Sequence, residues 1–397
     1  MVKGLAKLVQ SLKKAKDVSQ TLEILDQTPN GMLHEGPSLG IEMIKLAATK
    51  YSKNDEIFQV LESPKFFNAF RGDNFWLYLN HLLQNKKSQM NTDFYLSLEK
   101  KINKMTSDEL TWRGIGNAWK IFAKYSMIPS FQCITKLEEE IIDRKKEFDL
   151  ATYGIIMNAY ANLRILENPE HKNPQRFMKE MITKKKIDEG ELKKQSTMVS
   201  LLGIAKSLCL MHYFSDTSLW LSYFKNIADA YSSVKDEATP WKADIDMSLL
   251  HLIDAHQTYA AENMQEYQEM LSPIKEKCIY DPTKLAKTNK LSDWEKSIEG
   301  ILKKFSLKYE ADKIVSDYYT VDYFFEPNIA IEIYGPIHFL RKITGESTNL
   351  LKGKSIYKSQ LLGAKGLKII RVPYHLKEDT ENYIVKELQI LGILSNL

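Results

Sequence analysis

The stretch TVDYFFEPNIAIEIYGPIHF, residues 320–339, carries aromatic and β-branched residues on both sides of Glu326-Pro327-Asn328, which is the composition of two strands joined by a tight loop. With those three residues as the loop, Phe325 faces Ile329, Phe324 faces Ala330 and, by the same count, Asp322 faces Glu332. Val321, Tyr323 and Phe325 then share one face with Ile329, Ile331 and Ile333 and read as core. Like charges opposed across a sheet repel, so the hairpin predicts a compensating group: a metal ion, a lysine or arginine, or a carboxyl held protonated.

Outward from the hairpin the text keeps alternating between strand and helix. Ser292-Asp-Trp-Glu295 is a capping box that opens the helix SDWEKSIEGILKKF. KYEA, from 308, reads as a strand before the hairpin; a helix at about 350–365, a strand LKIIRV at 367–372 and a final helix at 379–391 follow it. Residues 292–391 are therefore a small α/β domain, with 392–397 as a C-terminal tail.

Two carboxylates crossing a hairpin, followed by a helix and a further strand, resemble the restriction-endonuclease-like fold. In that fold they hold a magnesium ion that activates water for phosphodiester cleavage. The series VD, IAIEIYGPIHF, LLKG, K-x-Q-x-L at 358–362, Gly366 and IIRVPY at 369–374 is similar to the RAP domain, the C-terminal module of many organellar RNA-binding proteins that also carry helical repeats. The resemblance implies RNA binding, in RNA stability, processing or ribosome assembly. As a nuclease the site would be Asp322, Glu332 and Lys358, with Mg2+ on the two carboxylates.

Two departures weigh against cleavage. Tyr334 stands where the family motif has an acid and the wider nuclease class a lysine, and Gln360 stands where the family helix has arginine. Tyrosine supplies no positive charge to a leaving group. A lysine from elsewhere is the remaining route: Lys354 and Lys358 share a helix face at i, i+4. The expectation is a degenerate, non-catalytic site with no cofactor.

Binding has more support than cutting. Between His338 and Pro373, Arg341, Lys342, Lys352, Lys354, Lys358, Lys365, Lys368 and Arg371 stand against one acid, Glu346. Such an excess suits phosphate, and His338, Phe339 and Tyr334 are near enough in sequence to stack on unpaired bases. The expected RNA-binding set is His338, Arg341, Lys342, Lys352, Lys354, Lys358, Lys365 and Arg371.

Residues 1–291 have helical periodicity, with apolar residues at i, i+3, i+4 and i+7. A frame of one apolar, two small or polar, and one large residue recurs: Ile44, Ala47, Ala48, Tyr51; Ile115, Ala118, Trp119, Phe122; Ile156, Ala159, Tyr160, Leu163; Leu252, Ala255, His256, Tyr259. A looser copy is Leu201, Ala205, Leu208, and FWLYLNHLLQ at 75–84 is a further candidate. Recurrence at this spacing predicts degenerate helical hairpins stacked as an α-solenoid, with an irregular helical bundle as the alternative. Turn-forming segments at 28–31, 167–174 and 236–240 separate the copies, and the lysine run at 183–194 reads as a wet helix face. His251 and His256 are five apart, which is not the i, i+4 spacing of two zinc ligands on a helix, so packing and hydrogen bonding are expected of them.

The net charge of +4 over 397 residues leaves any basic function to local clusters. Hydrophobic residues at 44% and charged residues at 27% describe an ordered globular chain, and no apolar run is long enough to span a bilayer. Cys133, Cys209 and Cys278 lack zinc or disulfide spacing and read as small apolar residues of a reducing compartment. MVKGLAKLVQSLKKAK, at the N-terminus, places Leu5, Leu8, Val9 and Leu12 on one face among five lysines. It resembles a mitochondrial targeting helix, and it equally suits the first helix of the fold with its lysines in water. The sequence thus leads to a mitochondrial matrix protein that binds organellar rRNA or transcripts, with possible ribosomal-protein partners. Two alternatives stand beside it: a structural subunit of a mitochondrial ribosome or other large assembly, and a metal-dependent endoribonuclease.

Overall fold

A computed structural model describes residues 2–85, 92–144, 147–167, 177, 195–234, 242–260, 264–278, 292–316 and 318–394. The chain divides into two compact units: the first holds the helices up to Ala159 together with Arg341–Glu346, and the second holds Tyr160–Leu166, the helices from Gln195 onward and the rest of the C-terminal α/β domain. The lysine run at 183–194 and the turns at 236–240 and, beyond Glu167, at 168–174 lie outside the described residues.

In the first unit the helices are α1 (Val2–Lys14), α2 (Val18–Gln27), α3 (Asn30–Glu35), α4 (Pro37–Lys50), α5 (Asp55–Leu61), α6 (Pro64–Ala69), α7 (Gly72–Asn85), α8 (Thr92–Lys104), α9 (Trp112–Tyr125) and α10 (Phe131–Asp143). Each one-sided apolar pattern finds a neighbour: α1 lies on α4, α4 on α7 and α7 on α9. Leu5, Val9 and Leu12 are buried while Lys3, Lys7, Lys13, Lys14 and Lys16 are exposed, so the N-terminal segment is a structural helix of this unit. Thr111 caps α9 by accepting the Gly114 amide at 3.2 Å. Gly114 is required there, because a Cβ would lie 2.3 Å from the Trp76 indole nitrogen of α7. The frame residues Ile44, Ala47 and Ala48, and all four of Ile115, Ala118, Trp119 and Phe122, are fully buried. Small residues let these helices approach, and the large ones fill the seam.

Helix α11 (Leu150–Leu163) runs into the second unit, whose further helices are α12 (Gln195–Leu210), α13 (Thr217–Val234), α14 (Lys242–Tyr259) and α15 (Met264–Lys275). Here α12 lies on α13 and α14, and α14 on α15. His256 of α14 is buried inside a ring of aromatics, 4.0 Å from Trp220, 4.7 Å from Phe224, 5.2 Å from Phe214 and 5.3 Å from Tyr267 between centroids. Among the described residues neither of its nitrogens has a hydrogen-bond partner, and its contacts are those of packing. His251 stacks on Tyr319 at 4.9 Å and its Nε2 meets the Tyr318 carbonyl at 3.1 Å. Cys133 and Cys209 are buried free thiols, and Cys278 is half-buried.

The α/β domain opens with α16 (Asp293–Lys304), closed at its start by the reciprocal bonds of the capping box: Ser292 Oγ accepts the Glu295 amide at 3.2 Å and Glu295 Oε2 accepts the Ser292 amide at 2.7 Å. Four strands follow in the order β2 (Glu310–Val315), β3 (Tyr319–Phe325), β4 (Ile329–Tyr334), β7 (Lys368–Pro373), antiparallel except for the parallel pair β4 and β7. The hairpin register is Phe325↔Ile329, Phe324↔Ala330 and Tyr323↔Ile331. One sheet face packs Tyr323, Phe325, Ile329, Ile331, Ile333, Ile370 and Val372 against α16 and α18 (Thr380–Ile390). A second cluster joins Phe324 and Ala330 to Leu362 of α17 (Gly353–Ala364). Val321 belongs to this second cluster, with Val315, and not to the first as strict alternation predicts, since the regular pairing with β4 ends two residues before it.

Two further short strands, β5 (Phe339–Lys342) and β6 (Ser347–Leu351), occupy a segment that shows no strand periodicity in sequence. In the first unit Arg341 and Lys342 pair in parallel with Met127 and Ile128 of β1 (Met127–Ile128). Helix α17 starts at Gly353, and a Cβ there would fall 2.0 Å from the carbonyl oxygen of Ala161, so only glycine lets the start of α17 meet the end of α11.

Candidate nucleic-acid interface

Strand β4 is buried along its whole length, which forces its one charged residue, Glu332, to find a partner. Lys358, one turn into α17, supplies it: its Nζ donates to Glu332 Oε1 at 2.7 Å and to Oε2 at 2.8 Å. Arg371 is the neighbour of Glu332 on β7. Across the hairpin, Asp322 Oδ2 accepts the Ile333 amide at 2.6 Å, just past the last regular pair of the ladder. The opposed acids are therefore relieved by a lysine and a backbone amide, two of the charge-balancing routes open to such a pair.

Asp322, Glu332 and Lys358 thus come together, as a nuclease site requires. The donor set does not fit a divalent cation as arranged. Both oxygens of Glu332 face an ammonium, where a metal would need them as ligands, and one oxygen of Asp322 faces an amide hydrogen. Among the described residues no group of three or more His, Cys, Asp or Glu side chains is placed to hold a metal.

The aromatic residues next to the pair point inward. Tyr334 and Phe339 are 2% exposed, so the base-stacking role expected of them is not available. The Tyr334 hydroxyl lies against Ser359 Oγ and donates to the Ser355 carbonyl at 3.3 Å; burial, and then the charge of Glu332, pushes its pKa well up. His338 is half-buried, with Nδ1 3.0 Å from Ser355 Oγ. Gln360 has a structural use: its Oε1 is 2.8 Å from Nε2 of His212, at the end of α12.

The cations of the expected RNA-binding set divide in the same way. Lys358 is bound to Glu332, Lys365 to Asp254 of α14 at 2.5 Å, and Lys342 to Glu346 at 3.1 Å. Arg371 is half-buried with its Nε unpartnered among the described residues; Lys352 occupies the N-cap position of α17 with no side-chain cap bond; Arg341 lies in β5, within the first unit. Lys354 is exposed and has no ion-pair or hydrogen-bond partner among the described residues.

Lys354 lines a cavity of about 180 Å³ with Lys358 and Tyr357 of α17, Lys206, Cys209 and Leu210 of α12, Ser248, His251 and Leu252 of α14, and Tyr319. Sequence reading passed over Lys206. Its signal was present: it is the only charged residue of α12, QSTMVSLLGIAKSLCL. Burial, and then the like charge of Lys354, draws its pKa down. In the first unit a larger cleft of about 860 Å³ mixes Arg71, Lys100, Lys101 and Lys104 with Glu62, Asp93 and Glu109, so its charges offset one another. Lys101 there caps α6 through the Phe67 and Phe70 carbonyls at 2.9 and 3.1 Å.

A buried acid on a central strand, a lysine reaching it from the following helix and a parallel return strand define a small α/β scaffold in which Glu332 and Lys358 form an internal ion pair. Residues 331–386 match the family model of the RAP domain, from the residue before Glu332 into α18. The chain is a RAP-domain protein, with stacked helices ahead of a small α/β domain that carries this module. The RAP domain is generally associated with RNA binding. No curated protein matches the chain.

Proposed function

We propose that this protein is a mitochondrial matrix RNA-binding factor that holds RNA without cutting it. It acts on organellar rRNA in ribosome assembly, or on transcripts in processing and stability. The RAP domain supports the RNA reading. The observation that carries the non-catalytic reading is Lys358 bonded to both oxygens of Glu332, which turns a metal-binding carboxylate into half of an ion pair. Mitochondrial location is supported by the organellar setting of the RAP-domain proteins that the sequence resembles. No cofactor is needed for this role, and among the described residues no helix is long and apolar enough to cross a membrane.

Crosslinking of the tagged protein to RNA in cells, followed by sequencing, tests the proposal. Crosslinks dominated by a few rRNA positions identify a ribosomal or assembly component, and crosslinks at precursor or messenger ends identify a processing or stability factor. Their absence would overturn the RNA reading and favour a protein scaffold within a large assembly. Cell fractionation tests the compartment.

The convergence of Asp322, Glu332 and Lys358 favours one second reading, a metal-dependent endoribonuclease. It predicts RNA cleavage that requires magnesium or manganese and disappears in both Asp322→Asn and Glu332→Gln.

A further inference from the structure

The cavity at α12, α14 and α17 gathers cations, and none of its described lining residues is an acid. Its three lysines, Lys206, Lys354 and Lys358, come from two helices. Lys358 has Glu332 as a partner, but Lys206 and Lys354 have no ion-pair or hydrogen-bond partner among the described residues. The remaining wall is mostly apolar, with the rings of Tyr319 and Tyr357 beside Leu210 and Leu252, and His251 stacked on Tyr319.

Lys206 and the exposed Lys354 bring like charge to one small space, and burial first, then that like charge, lowers the pKa of Lys206. An anion that enters the cavity removes the imbalance and gains two charge-assisted hydrogen bonds at once. We infer that Lys206 and Lys354 hold one phosphate group of bound RNA in this cavity. The inference rests on the RNA-binding reading and adds to it a residue of the helical stack, outside the matched RAP segment. Phosphate suits the site better than a carboxylate, because it carries more oxygens with which to meet two ammonium groups from different helices.

The test uses the full chain and short single-stranded RNAs bearing either a 5′-phosphate or a 5′-hydroxyl, with affinity measured across a salt series. Lys206→Met and Lys354→Gln should each weaken binding about tenfold and lower the salt slope by about one, while Lys354→Arg stays near wild type. Inorganic phosphate should raise the melting temperature of the wild type and not that of the double variant. A preference for the 5′-phosphate assigns the cavity to an RNA end, and equal affinity for both RNAs assigns it to an internal phosphodiester. Unchanged affinity in both variants, with wild-type RNA binding intact, overturns this inference and leaves the RNA reading standing. Wild type that binds no RNA overturns the RNA reading, and the phosphate-dependent melting shift then reports separately on the cavity.

Discussion

Two charge clusters flank helix α17, and they are built on opposite rules. Toward the sheet, the buried Glu332 is matched by Lys358; toward α12 and α14, Lys206 and Lys354 face one cavity with no acid between them. The first cluster is closed and holds the domain together. The second leaves charge uncompensated, and a fold keeps such an arrangement where a ligand completes it. On the proposed reading, Lys358 belongs to the architecture and Lys206 and Lys354 to a binding surface.

The comparison is broken most severely at Lys358. Lys358→Ala removes both ammonium hydrogen bonds from Glu332, whose side chain is 5% exposed. The expected loss is about 3 kcal/mol, the lower end for a buried pair because the lysine side chain is 30% exposed. The joint change Lys358→Met with Glu332→Leu should recover most of it, since the two groups go together. Denaturant unfolding of the three proteins measures both numbers. Equal stability of Lys358→Ala and wild type would mean that Glu332 does not depend on this lysine.

Next in size is the first residue of the helix that separates the clusters. Gly353→Ala puts a methyl group 2.0 Å from the Ala161 carbonyl, against backbone that cannot rotate away. Overpacking of this kind costs about 2–3 kcal/mol. The start of α17 must shift, so the same variant should also weaken any binding that needs Lys354. Melting temperature and RNA affinity, measured together, check the coupling, and a change in stability alone would separate the helix start from the cavity.

Much of the balanced cluster was legible in the sequence. A side-chain period of two and a three-residue loop are enough to set Phe325 against Ile329 and Asp322 opposite Glu332, and with that the need for compensation. The capping box at Ser292 and the buried repeat frames were readable for the same reason, because caps and helix faces are local. The unbalanced cluster was not legible. Lys206 and Lys354 are brought to one cavity by helix packing, which no local pattern encodes. The pairing of Lys365 with Asp254 is equally non-local, and it converts an apparent phosphate ligand into a structural one. Tyr334 and Phe339 misled because an aromatic beside a basic run looks the same whether it faces water or a core.

A third way of handling charge is to give it up, and His256 does so. Enclosed by Trp220, Phe224, Phe214 and Tyr267, its pKa is drawn down to about 3 by burial. In the unfolded chain the imidazole takes a proton as the pH falls through about 6.5, while the folded protein refuses it. The stability is therefore whole above pH 6.5 and is lost progressively as the pH falls toward 3. At about 1.4 kcal/mol per unit, the loss from this residue reaches about 2 kcal/mol by pH 5. His256→Phe should match wild type near pH 7.5 and exceed it by about that amount at pH 5. Parallel stability curves for the two proteins would show that the ring is protonated in place.

The smallest effect has the opposite sign. Lys206→Met keeps the length of the apolar stem and removes one of two facing like charges, so the free protein should become more stable by about 0.5 kcal/mol at low salt. The gain should shrink as salt screens the pair. Because the pKa of Lys206 is lowered in the folded state, the repulsion is complete at neutral pH and fades in wild type as the pH rises toward 10.5, so the two proteins converge there. A lysine kept for structure would behave as Lys358 does, and its removal would destabilise the fold. Stability that rises while RNA affinity falls is the mark of a group held for its ligand, and that pairing of signs separates the two clusters of α17 more sharply than either measurement alone.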